Sequence, residues 1–149
     1  MAQLKFDPRS YAAIVARVPT GGMTIGNNTR ATADTREARV TLHGSTVARF
    51  RRTADPLHVS RWRADDGDGI AMFDVMATLD TCGWHTPTTL DRLQQMIPEY
   101  APTGLRLSLS RGQAYADMGD GFRVPFDRLH FTTAGEVIAY HEARPTRVA

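Results

Sequence analysis

The chain is short of cysteine, lysine and long apolar runs, and each shortage narrows what it can be. Cys82 is the one cysteine among 149 residues. A lone cysteine permits neither an internal disulfide nor a cysteine-built zinc site, and it suits a reducing compartment. No apolar run reaches bilayer-spanning length, and residues 1–10 are polar and charged rather than the apolar core of a secretory signal. The expectation is therefore a cytoplasmic protein without membrane contact. Lys5 is the only lysine, so every other basic residue is arginine. Arginine reads phosphates and bases better than lysine does, yet a formal net charge of +2 is too small to imply a polyanionic partner by itself. Repeats and low-complexity segments are missing, as are a phosphate loop, a nucleophile elbow and an HxH pair.

What is present is ordinary globular material. With 42% hydrophobic residues, the chain has the length and apolar content for one domain over 1–149. Asp7-Pro8 places proline at a first helical position. Tyr11, Ile14, Val15 and Val18 then follow at i, i+3, i+4 and i+7, so a helix over 8–18 is expected as an N-terminal extension. Residues 38–52 read as a hairpin: Val40 and Leu42 face one way, Gly44-Ser45 turns, and Ala48 and Phe50 return on one face. Arg49 and Arg51 then share the opposite face. Asp65-Asp66-Gly67-Asp68-Gly69 is an acidic turn rather than a calcium loop, because a strand begins before the further oxygen ligands an EF-hand needs.

Phe73, Val75, Ala77 and Leu79 alternate with polar residues as a strand does. Gly83 ends it, and Thr86 and Thr88 are both candidate caps for a helix over about 88–97 carrying Leu90, Leu93, Met96 and Ile97. Trp84 reads as a core anchor. Leu105, Leu107 and Leu109 begin a second hairpin, Phe122 to Phe126 is a short edge strand broken by Pro125, and Phe131 to Ile138 is a last hairpin. The tail over 143–149 is basic, contains proline and is expected to be disordered. The fold class implied is α+β: an antiparallel sheet built from hairpins, with the 88–97 helix packed on it and the N-terminal helix added.

Three groups of residues stand out. Asn28-Thr29-Arg30 comes first, then Leu42-His43-Gly44-Ser45-Thr46-Val47. Last comes Gly83-Trp84-His85-Thr86-Pro87-Thr88-Thr89-Leu90-Asp91-Arg92. In these the chain resembles a family of small uncharacterised bacteriophage proteins, common in phages of actinobacteria. The family pattern runs Asn-Thr, Leu-His-Gly-Thr and Gly-Trp-x-Thr-x-Thr-Thr-x-x-Arg, and the resemblance covers about 27–125. Cys82-Gly83-Trp84 replaces a more usual Gly-Gly-Trp, and the region between Phe50 and Met72 reads as an insertion. The motif residues are Asn28, Thr29, His43, Gly83, Trp84, Thr86, Thr88, Thr89 and Arg92. The resemblance implies a phage origin and the cytoplasm of an infected bacterium; it carries no mechanism.

For function, Arg49, Arg51, Arg61, Arg63 and Arg92 with Trp62 form a possible phosphate-and-stacking surface on the sheet. The leading expectation is thus a non-enzymatic phage accessory protein that binds nucleic acid. The alternative is a binder or inhibitor of a host protein, acting through a sheet edge or the N-terminal helix. A second alternative is a small hydrolase or nuclease in which Asp91 orients His85 as a base beside Arg92. No catalytic set, cofactor or metal site is implied: His43 has no second His or Cys at ligand spacing.

Overall fold

The computed structural model describes residues 3–63, 70–142 and 144–149, with the side chains of 60–63 and 70–72 also outside that description. Among the described residues are two helices and twelve strands. They run α1 (Tyr11–Arg17), β1 (Met23–Gly26), β2 (Thr29–Ala33), β3 (Glu37–Leu42), β4 (Ser45–Arg51), β5 (Leu57–Arg63) and β6 (Ile70–Asp80). Then come α2 (Pro87–Gln95), β7 (Arg106–Ser110), β8 (Gln113–Asp117), β9 (Arg123–Pro125), β10 (Arg128–Thr132), β11 (Val137–His141) and β12 (Arg144–Arg147). The fold is α+β. The larger sheet has the order β1-β2-β3-β4-β6-β10-β11-β12, and a smaller one is β7-β8-β9. Every strand pairing is antiparallel.

The strand register explains the core. Ala31, Val40, Ala48, Leu79, Leu129 and Ala139 stand opposite one another across six strands, and all six are buried. The next row, Ala38, Phe50, Ala77, Phe131 and Val137, alternates small with large, so each phenylalanine fits over an alanine. Alternation then forces the intervening residues onto the other face. That row is Thr32, Arg39, Arg49, Thr78, His130, Ile138 and Arg147. Leu90, Leu93, Met96 and Ile97 from α2 and its end, Ile14 of α1, and Leu105, Ala114, Ala116, Val124 and Phe126 around the smaller sheet complete the same cluster.

β6 is long because along one edge it serves two neighbours: Ala77 and Leu79 pair with β4, while Ile70 to Val75 pair with β5. The stretch read as an insertion thus carries β5 and the start of β6, which pair with each other. Several expected boundaries shift. α1 begins at Tyr11, capped by Ser10, whose Oγ accepts from the Ala13 N–H at 3.1 Å; Asp7-Pro8 lies in the preceding segment. Within the tail expected to be disordered, residues 144–149 are instead described: Arg144–Arg147 pairs with β11, and the Val148 N–H donates to the Val137 carbonyl. Residues 65–69, read as an acidic turn, lie outside the described residues. No helix among the described residues is long and apolar enough to cross a membrane.

Candidate functional site

Two turns far apart in sequence meet at one end of the larger sheet. The first is the β3–β4 turn. Leu42 pairs with Ser45, so the two turn residues are His43 and Gly44, not Gly44 and Ser45. Both have positive φ, +51° and +81°, as a type I′ hairpin turn requires. The His43 N–H donates to the Asn28 carbonyl at 2.9 Å, tying this turn to the β1–β2 turn. There the Thr29 hydroxyl donates to the Asn27 carbonyl, and Thr29, paired with Leu42, is buried.

The second turn follows β6. Cys82 and Gly83 also have positive φ, and the Trp84 N–H closes the turn on the Thr81 carbonyl at 2.8 Å. Thr81 is fully buried, and both its N–H and its hydroxyl donate to the Asp127 carbonyl. The Asp80 carboxylate accepts the Cys82 N–H, and the Cys82 thiol reaches the Thr46 carbonyl of β4. Burial, reinforced by the Asp80 charge, pushes that thiol up, so it is not an activated nucleophile. The turn presents Trp84 outward: the residue is 58% exposed, and is not the core anchor expected from the sequence.

Thr86 then caps α2. Its hydroxyl accepts from the Thr89 N–H and donates to the Thr89 hydroxyl, with Pro87 in the first turn. Between the two turns lies a cavity of about 510 Å³, lined by Leu42, His43, Val47, Trp84, Thr86, Thr88 and Thr89. Leu42, Val47 and Thr89 form buried walls, while His43, Trp84 and Thr88 are exposed at the rim. Five of the nine motif residues, His43, Trp84, Thr86, Thr88 and Thr89, therefore line one groove, and Asn28, Thr29 and Gly83 hold the turns that shape it.

Arg92 is not on this surface. It is 4% exposed, and its guanidinium lies beside Gly26, 3.4 Å from where a side chain there would begin. Burial removes it from the nucleic-acid contacts expected of it and gives it a place in the scaffold. Arg49 and Arg51 do lie opposite Ala48 and Phe50, but Arg49 is ion-paired with Glu37 at 3.2 Å and Arg51 donates to the Asp55 carbonyl. Arg61, Trp62 and Arg63 fall on β5, where their side chains lie outside the described residues.

His85 does not pair with Asp91. Its Nδ1 accepts the Ala114 N–H at 2.9 Å, and its Nε2 stands 3.2 Å from the Asp127 carboxylate. A ring accepting at Nδ1 carries its proton at Nε2 and donates it to Asp127. No lone pair is left to act as a base, which overturns the expected His85/Asp91 arrangement. Asp91 instead accepts from the Gln95 amide. Among the described residues, no group of three or more His, Cys, Asp or Glu is placed to hold a metal. A second cavity, about 470 Å³, lies between residues 3–9 and the end of α2. Two of its three glutamines already serve backbone groups, Gln94 those of Leu105 and Leu107 and Gln95 the Leu4 N–H, so it reads as a structural seam.

Sequence reasoning missed Leu42 and Val47 as groove walls and Asp127 as the anchor of the second turn. A signal for the groove does exist. Residues 40–48 and 81–90 contain no Asp, Glu, Lys or Arg, in a chain that is 23% charged, and these two runs are what face each other. No protein-family model matches the chain, and neither a curated protein nor a solved structure matches it.

Proposed function

We propose that this is a non-enzymatic binding protein of phage origin, acting in the cytoplasm of the infected bacterium, that engages a host protein through the Trp84 groove. One observation carries the reading: a large aromatic residue, more than half exposed, is carried on a hydrogen-bonded turn beside an apolar cavity. Leaving such a ring in water costs free energy that burial against a partner recovers, and exposed aromatic anchors next to pockets are the usual centres of protein interfaces. The rim also lacks charge, as interface cores do.

Nucleic-acid binding on the outer sheet face is the second reading. It is favoured by Arg39 and Arg49 standing side by side and by Arg128 stacked 4.9 Å over the Tyr140 ring. It is weakened by Glu37, which takes up both Arg39 and Arg49.

The two readings separate in one set of variants. Host extract passed over the wild type, Trp84→Ala, and Arg49→Ala/Arg51→Ala should yield a protein retained by the first and third and lost from the second. Retention undiminished by Trp84→Ala would sink the groove reading. If purified, nuclease-treated protein instead binds labelled DNA or RNA with log-linear loss in salt, and the double arginine variant abolishes it, the sheet face is the functional surface.

A further inference from the structure

We infer that the side chain this groove takes from its protein partner is an uncharged aromatic ring with one polar tip, a tyrosine or a tryptophan; the inference rests on the groove being the contact surface. The lining decides the charge. Among the described residues seven line the cavity, of which only His43 is ionisable, and no described carboxylate, lysine or arginine is among them. A charged side chain entering there would lose its hydration and find no carboxylate, lysine or arginine among the described lining residues to offset that loss, an unfavourable exchange. Neither Asp80, which holds the Cys82 N–H, nor Arg49, which is paired with Glu37, is among the lining residues.

Shape and surroundings favour a ring over an aliphatic chain. Trp84 supplies one wall, and aromatic pairs gain from offset or edge-on contact beyond the area they bury. Leu42 and Val47, held in the sheet, supply an apolar floor that does not need to rearrange. The exposed rim, His43, Gly44, Gly83, Trp84, Pro87 and Thr88, extends the uncharged surface outside the cavity. A free small molecule would leave that rim in water, whereas a protein surface covers it.

The polar tip follows from the hydroxyl inventory. The Thr86 hydroxyl is spent within the helix cap, accepting from one Thr89 group and donating to another. Thr89 is buried, and its hydroxyl accepts the Thr86 proton in the same cap. The Thr88 hydroxyl, exposed at the cavity edge, makes no hydrogen bond among the described residues. It can donate or accept, so it suits a phenol or an indole N–H and has nothing to offer phenylalanine.

The test uses the amides of N-acetylated tyrosine, tryptophan, phenylalanine, leucine and glutamate as probes, titrated into isotope-labelled full-length protein and followed by NMR. The tyrosine and tryptophan amides should shift the methyl signals of Leu42, Val47, Thr86, Thr88 and Thr89 saturably. The leucine and glutamate amides should not. Tyrosine should exceed phenylalanine in affinity by roughly threefold to tenfold, the range expected for one hydrogen bond. Thr88→Val, a surface change of nearly equal shape, should bring that ratio to about one. Leucine binding as well as tyrosine, shifts that lie elsewhere, or a ratio indifferent to Thr88→Val would each overturn the inference. Such a failure is distinct from failure of the groove reading, which falls only if Trp84→Ala leaves capture of the host protein intact.

Discussion

Glu37 stands where the register places two arginines side by side. Arg39 and Arg49 are direct cross-strand partners, an arrangement that is unfavourable between like charges. Glu37, two residues from Arg39 on the same face and only 7% exposed, lies within 2.9 Å of Arg39 and 3.2 Å of Arg49. Glu37→Gln should therefore cost more than the loss of a surface pair, about 2 kcal/mol, read as a lower urea midpoint. The loss should shrink when Arg49→Thr is added, because the repulsion it exposes is then gone. His130 gives a second residue-scale prediction. It sits in the same row, 7% exposed, with Thr78 Oγ1 at 2.9 Å from its Nδ1 and Tyr140 edge-on at 5.0 Å. Burial, helped by the neighbouring Arg128 charge, pushes the imidazole down to about 4 from its ordinary 6.5. Folding thus favours the neutral ring. Its contribution is complete above pH 6.5 and is lost as pH falls from there towards 4, by up to about 3 kcal/mol. Urea midpoints of the wild type and His130→Gln, compared at pH 7 and pH 4.5, should converge at the lower pH; a constant difference would refute a buried neutral histidine. Neither role was legible in the sequence. His130 carries no motif, and Glu37 becomes a clamp only once β3 and β4 set two arginines around it.

Helices and turns were legible wherever the residue types dictate the local backbone. α2 was expected over about 88–97 and forms over Pro87–Gln95. Two threonines competed to cap it, and Pro87 decides between them: proline is favoured at the first helical position, where its missing N–H costs nothing, so the cap is the residue before it. Thr86→Ala should then lower stability by about 1 kcal/mol. Thr88→Ala, at an exposed site, should stay within about 0.5 kcal/mol of the wild type. Equal losses in thermal unfolding would mean that the cap is shared. The groove itself was half legible. His43, Trp84, Thr86, Thr88 and Thr89 were singled out as unusual, but nothing local says that residues 40–48 and 81–90 meet. That meeting depends on the Thr81–Asp127 bonds and on the thiol contact from Cys82 to the Thr46 carbonyl. Arg92 misled for the same reason. An arginine three residues after Thr89 reads as a surface cation until helix phase and the approach of Leu4 and Gly26 bury it.

At the scale of the molecule, the antiparallel α+β class was readable because the central strands alternate strictly, while the margins of the sheet were not. β2 and β12 are five and four residues long and draw on Thr, Ala, Arg and Pro rather than on a dense apolar pattern. Such segments have little intrinsic strand preference and become strands because a neighbour offers unpaired backbone groups. β12 is the informative case, since residues 143–149 resembled a disordered tail. In place, Arg144 to Arg147 pair with β11, and Val137 exchanges backbone hydrogen bonds with Val148 and Ala149. Val137, Ile138 and Ala139 are each no more than 1% exposed. Proline and two arginines on β12 give the sheet a blunt, charged edge. Removing 143–149 should convert β11 into an apolar edge with open backbone groups. We expect a lower unfolding temperature together with concentration-dependent self-association, seen by light scattering. A disordered tail would predict neither. Asp127 ties the β11–β12 turn to the Trp84 turn, its carboxylate accepting the Glu142 N–H and facing His85 while its carbonyl holds Thr81. Groove binding by a truncated protein that is still folded therefore measures how far the site depends on that anchor, apart from the loss of edge protection.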